Sequence, residues 1–428
     1  MSNAIVIASI VLFVLLLLKV PVFAAVLSGP VVYFLLTPKV NAQIFAQRVI
    51  AGCESIPMLA IPFFVCAGIF MNYSGVTKRI MNFCEAVTGR MIGGLAQVNI
   101  LLSTLMGGLS GSNLADAAME AKMLVPTMVE KGFSLEFSTV VTAFSAMITP
   151  LIPPGIALIL YGSIANVSVG KLFMAGLGIG ILLCVSEMVL VYVISKKRGY
   201  VPIREKRMSG KDFFLALKGA VLPLCLPIII IGGIRIGIFT PTEAGSVAIV
   251  YALFLGILYH EMTIKDFLAG IKETITTTSS IIIIIGSASA YSWILTKEQI
   301  PQKLTQSILG VIDNKYIFLI IVNILLLIVG MFVEGNVSMI VLVPLLAPVA
   351  MAYGINEIQF AVIFIFNSAI GDLTPPFGTL MFVSCGVTKC NMKKFVKEGI
   401  PFYMLLLFLL VLITYCPIFS TGIVNLLY

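Results

Sequence analysis

Apolar runs divide most of this chain into segments long enough to enter or cross a membrane. They lie near residues 3–18, 20–36, 54–73, 134–164 and 170–195 in the N-terminal half, and near 219–238, 243–260, 275–295, 357–388 and 395–416 in the C-terminal half. A hydrocarbon core about 30 Å thick requires about 20 helical residues. The pattern predicts an all-α integral membrane protein with five crossings in each half.

Each half also contains two segments of another kind. Residues 76–90 and 298–309 mix charged with apolar positions, which predicts amphipathic arms in the membrane interface. Residues 92–130 are helical pieces interrupted by Gly107-Gly108 and by Ser110 to Asn113. The first piece, of about 14 residues, reaches only about 21 Å. We therefore predict a re-entrant helical hairpin there, and a second one at 315–352.

The two halves repeat each other at an offset of 222 residues, which carries Pro126 onto Pro348 and Gly132 onto Gly354. Five crossings is an odd number, so the second copy must be inverted relative to the first. We predict an inverted-topology repeat made of residues 1–195 and 212–428, joined by a linker at 196–211.

Composition and charge agree with a membrane protein. Hydrophobic residues make up 60% of the chain and charged residues 11%. The net charge of +8 comes from bases in short segments between apolar runs, which does not indicate a nucleic-acid surface. The linker is predicted to be cytoplasmic from its bases, Lys196, Lys197, Arg198, Arg204, Lys206, Arg207 and Lys211. Alternating the spans from there puts most of the 27 bases, including Lys19, on that side and both termini on the opposite, extracytoplasmic side.

Helix-breaking residues inside apolar sequence, at matching places of two repeats, are typical of a transporter binding site. Unpaired backbone groups persist in a membrane only beside protein or a wet cavity, and their oxygens suit Na⁺. The first predicted Na⁺ site comprises Gly107, Ser110, Ser112, Asn113, Ser145 and Thr149. The second comprises Gly330, Gly335, Asn336, Asn367, Gly371, Asp372 and Thr374. Substrate is predicted to contact Ser112, Asn113, Pro153, Pro154, Asn336, Pro375 and Pro376.

Other interpretations of these residues stay open. The small residues could serve only close helix packing, and the prolines only kinks. Asp116 either binds an ion or stabilises the start of its own helix. An intramembrane enzyme would pair Asp116 with Asp372, but no nucleophile and base accompany them in the sequence. Glu334 stands where the first repeat has Ser112, so the two ion sites need not be chemically equivalent.

Several motifs in combination resemble the large membrane subunit of tripartite ATP-independent periplasmic (TRAP) transporters, over essentially the whole chain. Those motifs are Ile61-Pro62-Phe63-Phe64, Ala67-Gly68, Met71-Asn72, Gly108 to Ser112, Ala115-Asp116-Ala117, Ile152 to Gly155 and Gly371 to Pro376. Asn113-Leu114 departs from the pattern, where another small residue is expected. The stretch from Met71 to Gly75 is most similar to the sialic-acid branch.

The resemblance implies Na⁺-driven uptake of an organic acid across the bacterial inner membrane by an elevator movement. On that basis residues 1–50 and 212–272 with the two arms are expected to form a scaffold, and the remainder a mobile transport unit. The extracytoplasmic side, with both termini, would then be the periplasm. The resemblance also implies two partners, a small four-helix membrane subunit and a periplasmic substrate-binding protein. The small subunit is expected to be a separate chain, because no four-helix segment precedes Met1. The alternative within transport is a stand-alone divalent-anion/Na⁺ symporter.

Overall fold

The computed structural model describes residues 3–18, 20–54, 56–204 and 208–427. Lys19, Lys206 and Arg207, which entered the charge assignment, lie outside these ranges. The regular elements in the described ranges are all helices, as predicted. In the first repeat they are α1 Asn3–Leu17, α2 Val22–Leu36, α3 Gln43–Cys53, α4 Ala60–Tyr73, α5 Val76–Thr88, α6 Gly94–Ser110, α7 Asn113–Met123, α8 Val125–Glu130, α9 Leu135–Ser145, α10 Ile156–Ala165 and α11 Val169–Arg198.

The second repeat follows the same order. Its helices are α12 Gly210–Arg235, α13 Pro241–Leu258, α14 Ile264–Lys297, α15 Ile300–Leu309, α16 Lys315–Gly330, α17 Gly335–Ala352, α18 Glu357–Leu373, α19 Thr379–Thr388, α20 Met392–Tyr415 and α21 Ile418–Leu427. In the described chain, α11, α12, α13, α14, α17 and α20 are each long and apolar enough to cross a membrane. The predicted spans 134–164 and 357–388 are each two helices with a break between them.

The predicted arms and hairpins appear in both repeats. α5 bends away from α4 by 73°, as an arm leaving a span would. Hairpin 1 consists of α6, α7 and α8, and its two sides meet where Ser103 Oγ of α6 lies 2.6 Å from Glu120 Oε2 of α7. Hairpin 2 consists of α16 and α17, and the rings of Phe318 and Tyr353 stack across its open end at 4.8 Å. Both segments therefore fold back on themselves.

The two hairpins open at opposite ends of α20. At the start of α20, Lys394 Nζ lies 3.1 Å from Glu136 Oε1 at the start of α9, beside the open end of hairpin 1. At the other end, the ring of Tyr415 lies 5.8 Å from that of Tyr316 at the start of α16. A helix of 24 residues is about 36 Å long. The hairpins are therefore oppositely directed, as an inverted repeat requires.

Matching elements differ between the repeats. The second side of hairpin 1 is divided into α7 and α8, whereas hairpin 2 has the single helix α17. The larger difference is in α14. α14 runs unbroken for 34 residues, whereas its counterpart is split into α3 and α4 by a 3-10 turn at Ile56–Leu59. Pro62 lies in the first turn of α4, where its missing N–H needs no partner. The matching residue of α14 is Ile284, which leaves the helix free to continue. The predicted scaffold boundary at residue 272 therefore falls inside a single helix.

Candidate functional site

A cavity of about 500 Å³ lies where the tips of both hairpins approach α4 and α14. One wall is formed by the tips and by the broken helices behind them. The opposite wall is formed by residues of α4 and α14. Polar residues that line it are Asn72, Ser110, Ser112, Asn113, Glu273, Thr276, Thr277, Ser280, Glu334, Asn336, Ser368 and Asp372.

Asp116 is the centre of the polar contacts at the first tip. It is buried in the first turn of α7. Its Oδ2 accepts hydrogen bonds from Ser110 Oγ at 2.7 Å and from Thr149 Oγ1 at 2.8 Å. A Cβ on Gly107 would lie 2.8 Å from the Cα of Thr149, so the glycine allows α6 to approach the break in the span. Asp116 thus joins the hairpin tip to the break.

Ser112 and Asn113 lie at the mouth of the same tip. Ser112 caps α7, because its hydroxyl accepts a hydrogen bond from the N–H of Ala115. Asn113 Oδ1 accepts one from the N–H of Leu114 at 2.9 Å. Both residues line the cavity. Capping and cavity lining are therefore combined in one short segment.

Asp372 has the corresponding role at the second tip. It belongs to the broken span, in α18, whereas its counterpart at the first tip belongs to the hairpin, in α7. Asp372 Oδ1 accepts hydrogen bonds from the N–H of Gly335 at 3.3 Å and from Thr379 Oγ1 at 3.2 Å. Beside it, Asn336 Nδ2 donates to Glu334 Oε1 at 3.1 Å. The carboxylate of Asp372 therefore joins α17, α18 and α19. Thr379 was not predicted as a site residue.

Gly330 and Gly371 bring α16 and α18 into direct backbone contact. A Cβ on Gly330 would lie 2.8 Å from the Cα of Gly371, and one on Gly371 would lie 2.5 Å from the Cα of Gly330. Real Cβ atoms do not approach other atoms this closely. The predicted role of these two residues at the second ion site therefore corresponds, in the structure, to helix packing directly behind the tip.

Several predicted site residues lie away from the cavity. Ser145 belongs to a separate buried cluster, and Asn367 Nδ2 donates to Asn323 Oδ1 of α16 at 2.9 Å. The hydroxyl of Thr374 donates to the carbonyl of Ile370 at 2.7 Å. Pro150 of the first break lines the cavity. Its described lining residues do not include the predicted substrate contacts Pro153, Pro154, Pro375 and Pro376. Among the described residues, the two predicted sites are thus brought together only in part.

The cluster that contains Ser145 is a buried polar network between hairpin 1 and α9, which the sequence analysis did not predict. Asn99 Nδ2 donates to Thr142 Oγ1 at 2.6 Å, and Ser145 Oγ lies 3.2 Å from Asn99 Oδ1. Ser103 Oγ lies 2.9 Å from Ser145 Oγ and also contacts Glu120. Glu120 lies four residues after Asp116. This spacing can be seen in the sequence, and it places both side chains on one face of α7.

We predict that Asn99→Leu destabilises the protein by about 1–3 kcal/mol, because it removes two hydrogen bonds from buried partners at nearly constant volume. Thermal denaturation of the purified protein measures this. Ser186→Ala is the matched control, since the hydroxyl of Ser186 donates to a carbonyl of its own helix at 2.7 Å. Equal melting temperatures for Asn99→Leu and the parent would show that the network contributes nothing to stability.

The family model and the sequence relatives agree on one family. The family model described as "Tripartite ATP-independent periplasmic transporter, DctM component" matches residues 9–419. The sialic acid TRAP transporter large permease protein SiaM of Vibrio cholerae is 38% identical over 95% of both chains. The 2,3-diketo-L-gulonate TRAP transporter large permease protein YiaN of Escherichia coli is 35% identical over 92% of both. Among solved structures, the YdaH transporter of Alcanivorax borkumensis shares the fold, with a TM-score of 0.60, 12% identity, and coverage of 89% of this chain and 90% of that one.

Proposed function

Because this chain belongs to the DctM-component family of tripartite ATP-independent periplasmic transporters, we propose that it is the large permease of a transporter that imports an organic acid together with Na⁺. The relatives named above carry a sialic acid and a sugar-derived acid. A sialic acid is the substrate that we favour. Relatives are transporter permeases, and this supports transport over an intramembrane enzyme that would use Asp116 and Asp372.

The observation that carries the proposal is the charge of the cavity. The charged residues among its described lining residues are Glu273, Glu334 and Asp372, and all three are acidic. A carboxylate substrate would be repelled by such a site in a low-dielectric environment. Cations bound at the tips would reverse this repulsion. Coupling to a cation therefore explains how an acidic cavity can bind an acid.

The residues at the tips fit Na⁺ because they offer only oxygen ligands. At the first tip, Ser110, Thr149 and Asp116 would hold one ion, with Ser112 at its entrance. At the second, Asp372 and Asn336 would hold another. Ser368 adds a buried hydroxyl, on the cavity wall beside Gly335, that has no hydrogen-bond partner among the described residues. An orphan hydroxyl of this kind is satisfied when an ion or a substrate binds.

The arrangement of the cavity walls supports an elevator movement. The tips belong to the predicted transport unit. The opposite wall includes α14, which begins in the predicted scaffold, although its wall residues, from Glu273 onward, lie just past the predicted boundary at residue 272. α5 is tied to the neighbouring elements by ion pairs of Arg79 with Glu261 and of Glu85 with Arg204 of the linker. The cavity extends to Glu273, near the start of α14, and this end of α14 lies on the same side of the molecule as the linker. This position supports the proposal that the cavity opens toward the linker, the proposed cytoplasmic face.

We further propose that the chain works in the inner membrane with the two other components that the word tripartite implies, a small membrane subunit and a periplasmic binding protein. Uptake into vesicles that contain both membrane subunits should then require the binding protein. Uptake that proceeds equally well without it would instead favour a stand-alone symporter.

Sodium dependence of uptake tests the ion sites. We predict that Ser112→Ala raises the Na⁺ concentration for half-maximal uptake by about threefold to tenfold, since it removes one oxygen at the cavity mouth. Asn367 was also predicted in the second ion site, but it does not line the cavity, and Asn367→Ala removes the hydrogen bond from its Nδ2 to Asn323 Oδ1. We therefore expect it to lower stability and leave the Na⁺ curve of the folded protein unchanged. A parental Na⁺ curve for Ser112→Ala would remove Ser112 from the site.

A further inference from the structure

α14 presents a polar stripe to the cavity that no part of the sequence prediction included. Glu273, Thr276, Thr277 and Ser280 all line the cavity. Spacings of three and four residues place them along one face of the helix. Beyond Ser280 the same face continues with Ile281 and Ile284. One part of this wall is therefore polar and acidic, and the next part is apolar.

Glu273 of α14 is positioned by a hydrogen bond from a tyrosine of the neighbouring helix α4. The hydroxyl of Tyr73, the last residue of α4, donates to Glu273 Oε2 at 3.2 Å. The Glu273 side chain is exposed to the cavity rather than enclosed by protein. A fixed negative charge therefore lies at the wall opposite the hairpin tips.

The hydroxyl groups of the stripe can still bind a ligand. Thr276 Oγ1 donates to the carbonyl of Lys272 at 2.9 Å, and Ser280 Oγ donates to that of Thr276 at 3.1 Å. Each hydroxyl oxygen keeps acceptor capacity for a donor in the cavity. On the opposite wall, the buried hydroxyl of Ser368 has no partner within the described chain. Hydrogen-bonding groups therefore face the cavity from both walls.

We propose that the α14 stripe selects the substrate, by binding the hydroxyl groups of a monocarboxylate and by repelling any acid with a second carboxylate. This inference rests on the proposed function, in which cations at the tips bind the first carboxylate. The other end of the substrate then meets Glu273. A sugar hydroxyl can donate a hydrogen bond to that carboxylate, whereas a second substrate carboxylate cannot and is repelled. The favoured class is polyhydroxylated monocarboxylic acids, and short dicarboxylates are excluded.

Direct binding to the membrane complex tests this selection without interference from the binding protein. The purified complex of large and small subunits in saturating Na⁺ is titrated with N-acetylneuraminate, D-gluconate and succinate. We expect at least one hydroxylated acid to bind about tenfold or more tighter than succinate, given the cost of juxtaposed like charges. Glu273→Gln should strengthen succinate binding and reduce this ratio to about threefold or less. Ser280→Ala and Thr277→Val should weaken binding of the hydroxylated acid by about threefold and leave succinate unchanged.

Two control variants keep the test specific. Ser279→Ala removes a hydroxyl next to Ser280 that is exposed but does not line the cavity. Asp212→Asn removes an acidic charge at the start of α12, away from the cavity. Both should bind all three acids as the parent does.

Three outcomes would overturn the selection. In the first, the parent binds succinate as tightly as the hydroxylated acids. In the second, it binds neither hydroxylated acid. In the third, Glu273→Gln leaves the ratio of the affinities for the hydroxylated acid and succinate unchanged. Uptake by the complete transporter separates this failure from failure of the proposed function. If a Na⁺ gradient drives uptake but the parent binds succinate and the hydroxylated acids equally well, only the proposed selection is wrong. If no Na⁺ gradient drives uptake of any acid, the proposed function is wrong as well.

Discussion

Asp372→Asn is expected to lower the apparent affinity for Na⁺ in uptake assays by about a hundredfold, which corresponds to about 3 kcal/mol of lost binding free energy. The substitution keeps the size of the side chain and removes its charge. In a buried site at low dielectric, that charge is the largest contribution available to cation binding. Asparagine can still accept hydrogen bonds from Gly335 and Thr379, so the fold at the break should persist.

The measurement is the rate of uptake against Na⁺ concentration in vesicles containing the complete transporter. Asp212→Asn again serves as the matched control, because it removes one acidic charge outside the cavity. Thr379→Val supplies an intermediate case, since it removes one hydrogen bond to the carboxylate and leaves the charge. If Asp372→Asn and the parent have the same sodium curve, the second ion site does not include Asp372.

Gly371→Ala is expected to have the largest effect on stability, with a loss of about 3 kcal/mol or more. The new Cβ would meet backbone atoms of Gly330 rather than a flexible side chain, so α16 and α18 would have to separate. Thermal denaturation with a thiol-reactive dye can follow unfolding, because the described chain has free buried cysteines.

Gly386→Ala is the control for this prediction. Gly386 lies in α19, and a Cβ there would meet nothing within 4 Å. Alanine in an open helical position is neutral or slightly stabilising. A parental melting temperature for Gly371→Ala would contradict the proposed close contact of the two helices.

Much of the fold could be predicted from the sequence because its signals are local or periodic. The offset that joins Pro126 to Pro348 also joins the start of α7 at Asn113 to the start of α17 at Gly335. Helix breakers located the breaks within the predicted spans. The continuity of α14 was missed, since Lys265, Asp266, Lys272 and Glu273 made its first turns too polar for a membrane span.

The candidate site was predicted less completely, for a physical reason. Gly, Ser and Pro mark where the backbone is irregular, but not which side chains converge there. Thr379 reaches Asp372 only because the chain turns back after the break. Ser368 and the stripe on α14 line the cavity through packing of distant helices, which local sequence does not encode. The run Thr276-Thr277-Thr278-Ser279-Ser280 inside apolar sequence was the available signal for the stripe.

The unbroken α14 and the divided pair α3 and α4 have different shapes, and this restricts which conformations the two repeats can exchange in an opposite-facing state. In a transporter with inverted repeats, that state is often approximated by giving each repeat the conformation of the other. The hairpins and broken helices follow the same order in both repeats, so they are the elements to which such an exchange applies. A 34-residue helix cannot take the shape of its two-piece counterpart without being broken near its middle. Exchange should therefore describe only the proposed transport unit, with the shape of α14 held fixed.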